Sequence, residues 1–183
     1  MKKMYFFYFF TFILVYGLNG QNRYYDAMFP VQRTADVVYG KNIGILTGTP
    51  LPEDLKMDVY TPVGDSKTDR PLVLISHTGS FLPPLYNGQV TGSRSDSTVT
   101  ATAAYLASRG FVVAAYTYRL GWLPTSPDQN VRTGTLLQAA YRGIQDTRTC
   151  IRYFKKSVAE DSNPYGIDPG KICVWGIGTG GYL

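Results

Sequence analysis

The chain has 183 residues, of which 44% are hydrophobic and 17% are charged, and it contains 19 Gly and 11 Pro. This composition is typical of one globular domain with many turns, and it excludes a disordered chain, a collagen and a coiled coil. The formal net charge is +5, but no basic run outside the amino terminus is long enough to predict a nucleic-acid partner.

The first twenty residues have the pattern of a secretory signal peptide. Lys2 and Lys3 form a short positive region, and a fifteen-residue apolar stretch follows over residues 4–18. This stretch is shorter than the ~20 residues that a bilayer-spanning helix needs. We therefore predict cleavage after residue 20, no stable membrane span afterwards, and a secreted or periplasmic protein. An uncleaved membrane anchor is the alternative.

Five apolar segments predict strands. Residues 35–39 and 55–60 come first, and the second of them alternates apolar with polar residues, as a half-exposed antiparallel strand does. The later runs, 72–76, 111–116 and 172–175, are almost continuously apolar, which is typical of strands buried on both faces of a parallel sheet.

Helices are predicted between the apolar strands, at about 97–109 and 134–158. On the second helix, one face at helical spacing carries Ile144, Thr147, Ile151 and Phe154. Strands that alternate with helices predict a layered α/β fold. We assign it to a single domain over residues 35–183, after an amino-terminal extension at 21–34. Because the chain ends at a glycine-rich turn, where a helix should begin, we expect the front part of a longer protein.

The two cysteines, Cys150 and Cys173, give a weak signal. One falls on the apolar side of the second predicted helix and the other within the last predicted strand, so we expect two small buried hydrophobic residues. Neither has a second Cys or a His at metal-ligand spacing, so we predict no metal site and no cofactor. Whether the two form a disulfide is left open.

The first motif that indicates a functional site is the segment HTGSF at 77–81, directly after a predicted buried strand. Open α/β sheets bind ligands in loops at the carboxyl ends of parallel strands. Small residues in such a loop allow backbone N–H groups to turn toward a substrate oxygen, which predicts an anion-stabilising loop. The alternative is an ordinary turn in which hydrogen bonds satisfy His77.

The second motif is the segment WGIGTGG at 175–181, which again leads from a strand into a tight turn. Its glycines fit the G-x-G-x-x-G fingerprint of dinucleotide-binding domains. They also fit the G-x-S-x-G nucleophile elbow, with Gly178 at the serine position. The dinucleotide fingerprint normally follows the first strand of a domain, whereas this motif follows at least four, so chain order favours the elbow.

Taken in order, five segments resemble the amino-terminal half of an alpha/beta-hydrolase of the carboxylesterase/lipase type, close to the secreted bacterial esterases. They are LKMDVYTP, PLVLISHTGSF, ASRGFVVAAYTYRLG, IQDTRTCIRYF and YGIDPGKICVWGIGTGGYL. The resemblance covers the chain from about residue 35 to its end. It implies an alpha/beta-hydrolase fold with a mostly parallel sheet and helices on both faces, truncated after the fifth strand.

The resemblance also implies a set of site residues. The backbone N–H groups of Gly79, Ser80 and Thr179 would form an oxyanion hole. His77 would shape the oxyanion loop, and the pair Tyr118–Arg119 would brace the loops at the top of the sheet.

The main departure from the family pattern is at the nucleophile position, Gly178, which has no side chain. The neighbouring Thr179 side chain is expected to point elsewhere, and the triad acid and histidine are expected after residue 183. The resemblance implies hydrolysis of a small-molecule ester, but this chain alone is predicted to be inactive. The alternatives are a non-catalytic binding or scaffolding pseudoenzyme and, more distantly, a dinucleotide-binding enzyme.

Overall fold

The computed structural model describes residues 22–46 and 49–183, and the predicted signal peptide lies outside this part of the chain. The strands are β1 (Val31–Gly44), β2 (Leu51–Pro62), β3 (Arg70–Ser76), β4 (Val112–Tyr116) and β5 (Ile167–Gly176). The helices are α1 (Ser97–Ala107) and α2 (Gln129–Glu160), with short 3₁₀ helices at Pro84–Asn87 and Gly178–Tyr182. The first strand begins at Val31, so it includes the last four residues of the predicted extension.

The strands form one mixed sheet in the order β1-β2-β4-β3-β5. The pairs β1–β2 and β2–β4 are antiparallel, while β3 pairs in parallel with both β4 and β5. The predicted antiparallel entry and parallel remainder are thus both present. Ser76, the last residue of β3, pairs with Tyr116 on one side and with Gly176 on the other. The carboxyl ends of the three parallel strands therefore meet at one edge of the sheet.

One helix covers each face of this sheet, as predicted. Alternate residues of β4 point to opposite faces, because side chains alternate along a strand. Val113 and Ala115 belong to the apolar cluster that includes residues of α1. Val112, Ala114 and Tyr116 belong to the larger cluster that includes residues of α2. Both layers of the core thus form on the same buried strand.

The buried face of α2 differs from the prediction at one position. Ile144 is exposed, whereas the residue before it, Gly143, is buried next to Tyr118 and Leu183. Thr147 and Phe154 are buried as expected. The buried face of α2 therefore differs from the face that the apolar residues predict. It includes Gly143 and Asp146, and neither residue is apolar enough to reveal this face in the sequence.

The two cysteines have different surroundings. Cys150 is fully buried, as predicted, but the prediction for Cys173 is wrong, because this residue is exposed and both thiols are free. The reason is the place of β5 in the described sheet, where it forms an edge next to β3. Val174 and Trp175 are likewise 40% and 48% exposed. An apolar run at an edge lacks the neighbours that would bury it.

Candidate active site

The two predicted motifs lie side by side. One is the loop after β3 and the other is the turn after β5. The Ile177 N–H donates to the Ser76 carbonyl oxygen at 3.0 Å, and the Ser76 hydroxyl donates to the Gly180 carbonyl oxygen at 2.9 Å. Strand register and these two hydrogen bonds bring together segments that are about 100 residues apart in the sequence.

The loop after β3 has an unusual backbone. The φ angles of Gly79, Ser80 and Phe81 are +117°, +55° and +57°. Residues other than glycine seldom adopt this region of backbone conformation. The Asn87 side chain holds the loop in this shape by donating to the carbonyl oxygens of Gly79 at 2.8 Å and Leu82 at 3.1 Å. Strain that neighbouring groups maintain in this way is typical of functional sites.

One predicted oxyanion donor already has a partner. The Ser80 N–H donates to Oγ1 of Thr179 at 2.9 Å. The expectation that the Thr179 side chain points elsewhere is therefore wrong, since its hydroxyl faces the loop after β3. The hydroxyl lies where a ligand oxygen would accept the same hydrogen bond.

The space beside Gly178 is filled from the opposite loop. Gly178 has a φ of +55°, and the atoms nearest to an ideal Cβ built on it all belong to Thr78. The Thr78 Cβ would lie 2.8 Å from that added Cβ, much closer than the ~3.5–4.0 Å at which carbon atoms pack. The sequence reasoning did not single out Thr78, because its effect depends on a contact across the two loops.

His77 is fully buried below the loop. Its Nδ1 donates to the Thr78 carbonyl oxygen at 2.6 Å, and its ring stacks on Tyr118 with centroids 4.4 Å apart. Nε2 is also buried and has no hydrogen-bond partner within residues 22–46 and 49–183. Burial lowers the pKa of His77, which favours the neutral ring. These contacts attach the His77 ring to the loop and to Tyr118.

Tyr118 and Arg119 reach the site from the segment after β4. The Tyr118 hydroxyl donates to the His77 carbonyl oxygen at 2.8 Å, and burial raises the pKa of Tyr118. Arg119 forms a buried pair with Asp146 of α2, with Nη2 to Oδ1 at 2.8 Å and Nε to Oδ2 at 2.9 Å. The Arg119 backbone N–H also donates to Asp146 at 2.8 Å. Both residues thus hold the structure that carries the loop.

Asp146 is a residue that sequence reasoning missed. It is fully buried on α2, and its carboxylate accepts both from the Arg119 guanidinium and from the backbone of the same residue. The signal was a lone acidic residue on the apolar side of a helix. Such a residue needs a buried cationic partner.

An apolar cleft of about 420 Å³ opens against the two loops. Ser80 and Thr179 contribute polar groups to its lining, and the other lining residues are aromatic or aliphatic. Trp122 also lines an adjoining cleft of about 370 Å³ that contains Tyr86. The lining residues of the first cleft are Ser80, Phe81, Trp122, Leu136, Leu137, Ala140, Thr179 and Tyr182.

The described part of the chain has neither a cluster of metal ligands nor a helix that could cross a membrane. Across residues 22–46 and 49–183, no group of three or more His, Cys, Asp and Glu side chains is placed to hold a metal ion. Neither helix in these ranges combines the length and the apolar character that crossing a bilayer requires.

Comparisons with known proteins bear on the fold. No protein-family model matches the chain, and no curated protein matches it either. Solved structures do. A thermophilic esterase from the Planctomycetes species Thermogutta terrifontis is 23% identical with a TM-score of 0.51, covering 84% of this chain and 41% of its own. Esterase B from Lactobacillus rhamnosis is 20% identical with a TM-score of 0.51, covering 87% and 40%.

These similarities establish the fold. The chain has an alpha/beta-hydrolase fold, as the resemblance of its motifs implied, and it spans about two fifths of the length of these two esterases. A shared fold does not determine the function, which has to be argued from the site itself.

Proposed function

We propose that this chain forms the oxyanion-loop side of a binding site for a small acyl ester, and that it binds the ester without a nucleophile at residue 178. The observation that carries the proposal is the pair of loops itself. One loop has backbone geometry suited to an oxyanion donor, while the other has a glycine at the serine position.

The cleft supports an acyl ester as the ligand. The acyl chain would pack on apolar walls that include Phe81, Trp122 and Leu136. The ester carbonyl oxygen is a hydrogen-bond acceptor and would take the Ser80 N–H in place of the Thr179 hydroxyl. The similar fold of known esterases is consistent with this class of ligand.

Binding is favoured over hydrolysis because the described residues lack a nucleophile and base in contact. Gly178 has no side chain, and Thr78 fills the space beside it. His77 is the one histidine in the sequence, and its ring is buried and committed to the Thr78 carbonyl oxygen. A general base has to lie within hydrogen-bond reach of the group that it deprotonates. We also propose, from residues 1–20, that the protein is secreted or periplasmic.

The experiment separates binding from turnover. Methyl butyrate is titrated into the protein by isothermal calorimetry, and p-nitrophenyl butyrate is used to detect hydrolysis. We expect saturable binding of the first and no enzymatic hydrolysis of the second. Ala140→Phe fills the cleft and should abolish binding, whereas Ala101→Phe, at an exposed position on α1, should leave it unchanged.

Three outcomes would contradict the proposal. Absence of binding in the unmodified chain would exclude an ester site. Hydrolysis that survives Thr179→Ala would mean that a nucleophile other than Thr179 acts. Hydrolysis that is lost in Thr179→Ala would identify the Thr179 hydroxyl as the nucleophile, and the site would then be catalytic.

A further inference from the structure

We infer that Thr78 and Gly178 form a complementary pair, in which the Thr78 side chain occupies the space that any side chain at residue 178 would need. Thr78 would then determine what the reactive position of this site can hold. The inference goes beyond ester binding, because it states why the position has no side chain and which second residue keeps it so.

Gly178 faces Thr78 across the gap between the two loops. An added Cβ would meet Oγ1 and Cβ of Thr78, whereas the Thr78 Cα is 3.8 Å away, at ordinary contact distance. The backbone of the loop after β3 therefore leaves room for a Cβ at residue 178. The obstruction comes from the Thr78 side chain.

Two other glycines of the same turn, Gly176 and Gly180, are obstructed by different kinds of atom. A Cβ on Gly180 would lie 2.7 Å from the His77 carbonyl oxygen, and one on Gly176 would lie 2.6 Å from the Gly180 carbonyl carbon. Both obstructions are backbone atoms, which no substitution removes. Gly178 differs because a change in one neighbouring side chain would free its space.

The Thr78 side chain is stiff, because it is branched at Cβ. Rotation about χ1 moves the hydroxyl and the methyl group of a threonine but leaves its Cβ in place, and β-branched side chains have few χ1 options. A change of rotamer therefore cannot relieve the 2.8 Å approach between the two Cβ atoms. Either the loops move apart or one of the two residues has to lose its side chain.

A double-mutant cycle tests the pair by thermal unfolding of the full chain. Gly178→Ala is made in the unmodified background and in T78A and T78G backgrounds. Gly88→Ala serves as the matched control, since Gly88 has a similar φ of +64° and no described atom within 4 Å of an added Cβ. The control measures the cost of a positive φ without any obstruction.

We expect Gly178→Ala to lower the unfolding midpoint most when Thr78 is present. The loss should be smaller with T78A, which removes Oγ1 but keeps Cβ, and with T78G it should fall to the loss caused by Gly88→Ala. Gly88→Ala should cost the same in every background. If Gly178→Ala alone does not fold, rescue by T78G supports the pair.

Two results would overturn the inference. One is an equal loss from Gly178→Ala in the unmodified, T78A and T78G backgrounds. The other is failure of T78G to rescue a Gly178→Ala chain that does not fold. If T78G alone does not fold, T78A provides the same test, and no reduction of the Gly178→Ala loss by T78A would then overturn the pair.

Discussion

Two regions at the same end of the sheet differ in how their polar groups are used. Below the loops, Arg119 and Asp146 form a buried ion pair with several hydrogen bonds. Between the loops, the Ser80 N–H donates to the Thr179 hydroxyl, and Gly178 faces the Thr78 side chain. The Arg119–Asp146 pair thus joins separate elements of the fold. Between the loops, by contrast, the side chains of Thr179 and Thr78 fill the space that a ligand or a residue-178 side chain would need.

The difference teaches that the loop after β3 can be held in a fixed shape without a side chain at residue 178. Arg119 also donates to the Ile43 carbonyl oxygen at 3.1 Å, so one side chain connects β1, α2 and the segment after β4. A site that only binds a ligand still needs that support, because binding requires a loop of fixed shape. It does not need a reactive group at residue 178.

The largest expected effect comes from breaking the supporting pair. Asp146→Ala leaves the Arg119 guanidinium buried without its carboxylate, and such a change typically costs about 3–5 kcal/mol. We expect a loss of this size in the free energy of unfolding, measured with urea. The matched control is Glu160→Gln on the same helix, which breaks the exposed pair with Lys156 and should cost at most about 0.5 kcal/mol. A loss from Asp146→Ala as small as that of the control would contradict the supporting role.

The contrast between the two regions also explains what the sequence could reveal. The apolar runs of β3, β4 and β5 predicted the parallel strands, and the loops that follow β3 and β5 predicted the location of the site. Both inferences use local patterns, since the residues at a strand end lie at the edge of the sheet whatever their partners are.

What the sequence could not reveal depends on contacts between distant segments. The Arg119–Asp146 pair joins residues 27 positions apart, and the contact between Thr179 and Ser80 spans 99. No periodicity encodes either contact. The burial of Cys173 was predicted wrongly for the same reason, because the exposure of an apolar strand depends on the neighbours of that strand and not on its own residues.

A smaller effect is expected at the centre of the site. Thr179→Val keeps the shape of the side chain but removes the hydroxyl that accepts from Ser80. Loss of one such hydrogen bond should reduce the free energy of unfolding by about 0.5–1.5 kcal/mol. Methyl butyrate should bind more tightly to this variant, because its carbonyl oxygen would no longer compete with the hydroxyl for the Ser80 N–H.

Thr179→Ser is the control for this change, since it retains a hydroxyl at the same position. Urea unfolding and calorimetry should show Thr179→Ser close to the unmodified chain in both stability and affinity. If the serine and valine variants behave alike, the Thr179 hydroxyl does not hold the Ser80 N–H in solution. The contrast between the two regions would then be wrong.

The smallest effect is a pH dependence of the free energy of unfolding that comes from His77. It is absent at neutral pH and above, where His77 is neutral in both the folded and the unfolded chain. Burial lowers the pKa of His77 in the folded chain, whereas an unfolded chain has the ordinary value of about 6.5. Below that value the unfolded state binds the proton more readily, so acid favours unfolding. The stability that His77 contributes is complete above about pH 7.5 and declines as the pH falls from about 6.5 toward the lowered pKa.

His77→Asn tests this expectation, since an amide can still donate to the Thr78 carbonyl oxygen but does not titrate. Between about pH 5 and 7 the free energy of unfolding should fall less steeply with decreasing pH in the variant than in the unmodified chain.

Asp58 and Asp65 do not contribute to the pH dependence between about pH 5 and 7. Burial opposes their ionisation, but hydrogen bonds to the ionised forms outweigh it and lower both pKa values. Their contribution is therefore lost only below about pH 4, where unfolded aspartates bind protons. Parallel pH profiles for the two proteins would show that His77 does not titrate differently on folding.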